Sequence, residues 1–246
     1  MKQFKADLHI HTLLSPCGSL EMSPANIVQS ALNAQLDIIA ITDHNSTKQA
    51  PLIQQMAANK GLTVFCGAEV NTSEEVHCLV LFENNFQLLD FQCFIDENII
   101  PVKNNPDLFG DQIVVDIDEM IVEEVDYLLI SALKASLLEV EQKVHALGGL
   151  VIPAHVDRYY NGLFSQLGFM PENLKVDGLE LSKNANIEEW RTSGKIPPKT
   201  TIIQNSDAHY PSQIGTVFSF YNIKEPSFSE LKMALYHQKG RSVEIV

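Results

Sequence analysis

The chain of 246 residues predicts an α/β protein with a mostly parallel sheet, on two observations. Short runs rich in Val and Ile alternate with segments whose apolar residues recur at helical spacing. Most of those runs end in His, Asp or Glu, which is where a barrel of parallel strands gathers its active site. At 45% hydrophobic residues the chain can bury one substantial core, as single α/β barrels do. No internal repeat, low-complexity tract or Gly/Ser linker divides it, so residues 1–246 are expected to form one domain.

Taken in order, FKADLHIH is the first strand, and Ser23-Pro24 starts a helix over 24–35, with Ser23 as N-cap and Pro24 at the first helical position. DIIAITDH is a strand ending in Asp43-His44, and KQAPLIQQMAANKG a helix stopped at Gly61. LTVFCGAEV is a strand carrying Glu69 near its end, HCLVLF a strand opening on His77, and 86–100 a helix. Residues 101–127, with Pro101, Pro106, Gly110 and a run of acids, read as an insertion over one end of the fold. LLEVEQKVHALGG returns to helix. The strands LVIPAHV, DGLELS and TTIIQNSDAH follow, then GTVFSFY as a last strand and SFSELKMALYHQ as a closing helix capped by Ser227 or Ser229.

The net charge is −14 with histidines neutral. A surface that grips the phosphate backbone relies on clustered Lys and Arg, so stable duplex nucleic acid binding is not expected. A local anion site stays open if metal ions supply the positive charge. Cys17, Cys66, Cys78 and Cys93 show no CxxC spacing, and Cys66 and Cys78 sit in apolar runs as buried thiols do. The start lacks a secretory apolar stretch, and no segment approaches the roughly 20 apolar residues of a membrane span. A reducing, cytoplasmic setting away from membranes is the expectation.

Eight histidines are present. His145 and His237 fall in helical patterns and are assigned to packing or surface roles. His9, His11, His44, His155 and His209 lie at or just past predicted strand ends, as do Glu69 and Asp207; His77 opens its strand. Its first residue reaches the same face if that strand is antiparallel, and otherwise the preceding loop must bring it there. In a strand, His9 and His11 point the same way, with Asp7 behind them. So many polar groups in one basin need partners, because unpaired burial costs about 1–3 kcal/mol per group. Divalent cations supply them. Mixed His and carboxylate donors suit Zn, Mn or Fe better than Mg or Ca.

HxH at 9–11, TDH at 42–44, Glu69, His77, His155 and DAH at 207–209 together resemble the polymerase and histidinol phosphatase (PHP) family. LSPCGSLEMSP, EEVHCLVLF, IPAHVDR and NSDAHY are similar to its metal-dependent phosphoesterase branch. The resemblance implies a distorted (β/α)7 TIM-like barrel and a centre of two or three divalent ions. It implies that His9, His11, Glu69 and Asp207 hold one metal, that Glu69 bridges to a second held by His77 and His155, and that His44 and His209 hold a third. The family usually completes the third site with Asp or His five or six positions after HxH; here those positions are Pro16 and Cys17. Pro16 has no ligating side chain, whereas Cys17 as thiolate would favour zinc or iron.

The chemistry expected is hydrolysis of a small phosphomonoester or short nucleotide, by attack of a metal-bridging hydroxide on phosphorus. Its partner is thus a small phosphorylated substrate. Arg158 is the first candidate to bind the phosphate and Lys183 the next; Tyr159 and Tyr160 could flank a sugar or base. Asp7 and Asp43 are candidates to orient ligating histidines. A protonated His209 or His44 could donate to the leaving oxygen should the third ion be missing. Histidinol-phosphatase-like or exonuclease-like hydrolysis, a non-phosphate metallohydrolase and a degenerate binding barrel stay open as alternatives. Neither GxSxG nor a P-loop is present.

Overall fold

The structure, a computed structural model, describes residues 1–245. Strand β1 (Lys2–Ile10) is the third strand across a seven-stranded sheet. On one side it pairs in parallel with β2 (Ile38–Ile41), and β2 with β3 (Thr63–Asn71). Then β4 (His77–Phe82) returns antiparallel to β3, and β7 (Leu150–Pro153) pairs antiparallel to β4. On the other side β10 (Ser219–Ile223) and β11 (Ser242–Ile245) add antiparallel strands to β1. The turn between β3 and β4 settles how His77 reaches the functional rim: the strand runs backwards, so its first residue faces Asn71 at the far end of β3.

The sheet curls towards closure. Val156 N donates to Glu180 O, joining the end of β7 to β8 (Leu179–Glu180). β8 pairs in parallel with β9 (Ile202–Ile203), and Ala208 beyond β9 bridges to Ile10 of β1. The expected barrel-like α/β architecture is therefore present, though β4 follows β3 with no helix between them. Period-2 patterning explains why both faces of the curl are buried. Ile38 and Ala40 face an inner cluster with Leu8, Phe65, Leu79, Leu81 and Ile152, plugged by Tyr221, Phe228 and Leu231. Ile39 and Ile41 face the outer cluster beneath the helices.

Those helices bury one stripe each. α1 (Pro24–Asn33) contributes Ile27, Val28 and Ala31, and α2 (Ala50–Ala57) contributes Ile53 and Ala57. α3 (Asn85–Asn98) starts at a capping box of Asn84 and Gln87 and buries Phe91 and Ile95. α5 (Leu137–Ala146) starts at a second, Ser136 with Glu139, and buries Val140 and Val144. α8 (Phe228–Leu235) closes the inner cluster; Ser227 is its N-cap residue, without a side-chain capping bond.

Several expectations are corrected. Residues 101–127, read as an insertion, hold the single turn α4 (Pro106–Phe109) and a hairpin of β5 (Ile113–Val115) and β6 (Ile121–Glu124). Two short helices, α6 (Leu163–Leu167) and α7 (Ile187–Thr192), and strand β11 were not anticipated. The long strand expected over TTIIQNSDAH is only Ile202–Ile203; beyond it the chain makes side-chain-anchored turns that carry Asp207 and His209. Among the described residues no helix is long and apolar enough to cross a membrane.

Candidate metal centre

The segments that bear the histidines are tied to one another by backbone hydrogen bonds at the rim of the sheet. His11 N donates to Ala208 O, and Ala208 N to His9 O, which sets DAH beside HxH. Asn45 N donates to Glu69 O and Glu69 N to Asp43 O, which sets TDH beside Glu69. Ala154 N donates to His77 O, which brings His155 alongside β4. Asp207 and His155 take left-handed backbone angles, φ 52° and 29°, the kind of local strain that clusters at functional sites.

The result is one basin around Glu69, itself only 1% exposed. Its Oε1 lies 3.3 Å from His9 Nε2, 3.0 Å from His77 Nδ1 and 3.1 Å from His155 Nε2. Its Oε2 lies 3.4 Å from His11 Nε2 and 3.1 Å from His44 Nδ1. Asp207 Oδ1 lies 3.3 Å from both His9 Nε2 and His11 Nε2. Sequence reasoning named all of these residues, and the fold brings them together.

Two supporting chains decide which nitrogens face the centre. Glu180 Oε2 lies 2.9 Å from His9 Nδ1, so that nitrogen carries the proton and Nε2 presents a lone pair inward. Ser15 Oγ donates to Asp43 Oδ1 and therefore accepts from His11 Nδ1, leaving His11 Nε2 bare as well. The two bare nitrogens stand 3.2 Å apart, among two carboxylates. Such a group repels itself unless a proton or a metal cation sits between its members. Metal–ligand bonds of about 2.0–2.2 Å place neighbouring ligand atoms roughly 3–3.5 Å apart, the spacing found here. His44 Nδ1, His77 Nε2 and His155 Nδ1 are buried without hydrogen-bond partners. The donor set fits divalent ions.

The charges divide accordingly. Burial opposes ionisation of Glu69, but His77, His9 and His44 outweigh it and hold the carboxyl well below its usual range. Asp207 is likewise held low by His9 and His11 against burial. Burial lowers His11, yet Asp207 and Glu69 overcome it and push the imidazole up to about 9, so with no ion bound a proton takes the place at Nε2 that a cation would fill. Burial and the neighbouring His11 push His209 down to about 4, and burial holds His44 well below the ordinary value. Both shifts favour the neutral imidazole, whose free nitrogen can serve a metal ion. His209 Nδ1 is engaged by the Asp207 carbonyl at 2.8 Å, leaving Nε2 free.

A cavity of about 400 Å³ opens onto this centre, lined by Cys17, Ile130, Arg158, Tyr159, Tyr160 and Asn161 besides the ligating residues. Arg158 pairs with Asp207 Oδ2 at 2.7 Å. Tyr159 and Tyr160 are 79% and 77% exposed and meet edge to face, ring centres 5.0 Å apart. Lys183 is not brought here; it lines a separate hollow with Gln204 and Phe218. The Asp7 carboxylate meets no histidine ring: it accepts from Ser206 N, Ser206 Oγ and Gly215 N, and so braces the turn that presents Asp207. Glu180 is the residue that sequence reasoning passed over. Its only signal was its place at the end of DGLELS.

The PHP domain family matches residues 7–130, the stretch that carries His9, His11, His44, Glu69 and His77. The chain belongs to the PHP domain family. The remaining candidate ligands of this PHP chain, His155, Asp207 and His209, lie beyond the matched stretch. Its sequence is 28% identical over 111 residues to the uncharacterized protein YqxK of Bacillus subtilis, covering 43% of this chain and 28% of that one. By structure it resembles PfuEndoQ, a lesion-specific endonuclease from Pyrococcus furiosus (TM-score 0.74, 19% identity, 98% of this chain and 58% of that one). A complex of endonuclease Q with a 27-mer duplex bearing an abasic lesion at its active site aligns comparably (TM-score 0.72, 20% identity, 98% and 58%). A protein of Bifidobacterium adolescentis assigned as a metal-dependent phosphoesterase shares the fold (TM-score 0.57, 18% identity, 83% and 87%). The PHP chain thus spans little more than a quarter of YqxK and somewhat over half of endonuclease Q.

These comparisons overturn one expectation. A small phosphorylated substrate was expected from the chemistry of the centre, and stable duplex nucleic acid binding was not expected because of the charge of −14. The same fold receives a DNA duplex in endonuclease Q. Net charge is a sum over the whole surface, whereas a polyanion meets the mouth of one cavity. There Arg158 and any ions held by the centre set the local field.

Proposed function

We propose that this chain is a metal-dependent phosphoesterase that cleaves phosphodiester bonds in nucleic acid. The observation that carries the reading is the encirclement of both Glu69 oxygens by five imidazole nitrogens within 3.4 Å, with Asp207 beside them. A single carboxylate so placed can serve two ions at once. Divalent ions held there would activate a water and offset the charge developing on the phosphoryl oxygens.

The chain's own residues do the rest. Glu69, kept ionised by its imidazole neighbours, holds its negative charge across the working pH range. Glu180 and the Ser15–Asp43 pair fix the tautomers of His9 and His11. Arg158 spends one arm on Asp207 and, 42% exposed, keeps further N–H donors for a phosphate oxygen at the cavity mouth. The exposed Tyr159–Tyr160 pair offers an aromatic face to a base next to the phosphate, as proteins that bind single strands do. This aromatic face, and the duplex handled by endonuclease Q, favour a polynucleotide as substrate.

The test is cleavage of end-labelled single-stranded and duplex oligonucleotides, one duplex bearing an abasic site, with manganese or zinc added. Cleavage that needs the ion and disappears in Glu69→Gln supports the reading. Folded, metal-loaded protein that leaves every oligonucleotide intact refutes it.

A further inference from the structure

We infer that Cys17 supplies a thiolate ligand to a metal position of its own, shared with His44 and His209, and that this position prefers a thiophilic ion. The inference rests on reading the rim as a metal centre and adds the identity of one ligand and the kind of ion it selects.

Ligand atoms of His11, Cys17, His44 and His209 all lie within 4.8 Å of one another. His11 has a single nitrogen to give, because its Nδ1 is bonded to Ser15 Oγ, and that nitrogen is already set against His9, Glu69 and Asp207. Cys17, His44 and His209 then remain as one sulfur and two nitrogen donors. His44, 3% exposed, keeps Nδ1 without a hydrogen-bond partner; Glu69 Oε2 lies 3.1 Å from it, so this ring stands between Glu69 and the Cys17–His209 pair. Such a buried polar atom is satisfied by a cation. Cys17 and His209 also line the open cavity, so a fourth coordination position faces solvent, as in metal sites that do chemistry.

The backbone holds Cys17 in place. Ser19 N donates to His209 O at 2.9 Å, tying the loop that carries the thiol to the segment that carries the imidazole. Gly18 packs so tightly that a Cβ there would lie 2.2 Å from Thr12 O. The other free thiols stand elsewhere: Cys66 and Cys78 are buried in the outer apolar cluster, and Cys93 is exposed on α3. A thiolate among imidazoles selects zinc or iron(II) over the oxygen-loving manganese and magnesium.

Cobalt(II) titration of metal-stripped protein tests this without any turnover. Wild type and the Cys93→Ser control should develop a near-ultraviolet sulfur-to-cobalt charge-transfer band, and Cys17→Ser should not. Cys17→Ser should also bind zinc at least about tenfold more weakly, since even supporting residues of metal sites cost 10–100-fold. Cys17→Asp should bind cobalt without the band and lose zinc-over-manganese preference by a similar factor, which shows that the loop stays folded. Absence of the band in wild type, its persistence in Cys17→Ser, or an unchanged preference in Cys17→Asp overturns the inference. The band does not depend on cleavage: a band with intact oligonucleotides faults the proposed activity alone, and cleavage without a band faults the Cys17 ligand alone.

Discussion

Glu180 Oε2 sits 2.9 Å from His9 Nδ1, with both side chains buried, and so dictates which imidazole nitrogen points at the centre. Glu180→Ala frees the ring to rotate and to take the wrong tautomer. Metal affinity should fall by about 10–100-fold, measured by competition with a chelating dye. Glu180→Gln, whose amide oxygen still accepts from Nδ1–H, should recover part of the loss. Equal affinity in wild type and Glu180→Ala would show that His9 is held by something else.

Metal binding should register as stability. An ion that binds only the folded chain adds about 2.7 kcal/mol at a free concentration 100 times Kd. Urea unfolding with and without saturating zinc or manganese measures it. Glu69→Gln, which removes the charge all five imidazoles face, should lose most of the increment.

Tyr159→Ala and Tyr160→Ala should each weaken binding of a single-stranded oligonucleotide by about 1–3 kcal/mol, the usual loss of a stacked base. KM should rise while kcat changes little, because both rings are largely exposed at the cavity mouth. Fluorescence anisotropy checks the binding, and undiminished affinity in both variants would leave the aromatic pair without a part in recognition.

His145 gives stability a pH dependence outside the metal centre. Asp177 accepts from its Nε2 at 2.9 Å and raises the imidazole above its ordinary value of about 6.5; Glu141, one helical turn back, adds to this. The folded chain thus holds this proton more tightly than the unfolded chain. The contribution is complete below pH 6.5 and fades as pH rises through the folded-state value. His145→Gln should narrow the stability gap to wild type as pH climbs from 6 towards 9. A gap that stays constant would mean the pair contributes nothing that titrates.

Gly67 lies on β3 between Phe65 and Glu69, where a Cβ would come 1.9 Å from the Val80 carbonyl of β4. Backbone cannot swing aside as a side chain can. Gly67→Ala should cost at least about 1–3 kcal/mol and pry apart the hairpin that sets His77 against Glu69. Metal affinity should drop with stability, which distinguishes it from an ordinary core defect.

The candidate ligands were legible because most sit in short motifs at strand ends, and strand ends converge. Glu180 was not, since a single Glu in LELS looks like any strand terminus until its neighbour across the rim is known. The direction of β4 was open because HCLVLF is apolar on both faces, and periodicity carries no sense of direction. The β5–β6 hairpin hid behind its acids: the whole of β6 is exposed, so no alternation of buried and polar positions marks it. β8 and β9 are too short for a pattern, and the turns past β9 are held by side chains, Asp7 on Ser206 and Gln213 on His209 N, which spacing alone does not reveal.

The order of the ligands along the chain has a bearing on biosynthesis. His9, His11, His44, Glu69 and His77 leave the ribosome first, close in sequence and joined through β1, β2 and the β3–β4 hairpin. Asp207, which answers both His9 and His11, follows only after some 130 further residues. A nascent chain that has passed His77 but not yet His155 carries one acidic donor for four imidazoles, so full retention of the ions must wait until the last third of the polypeptide has been made.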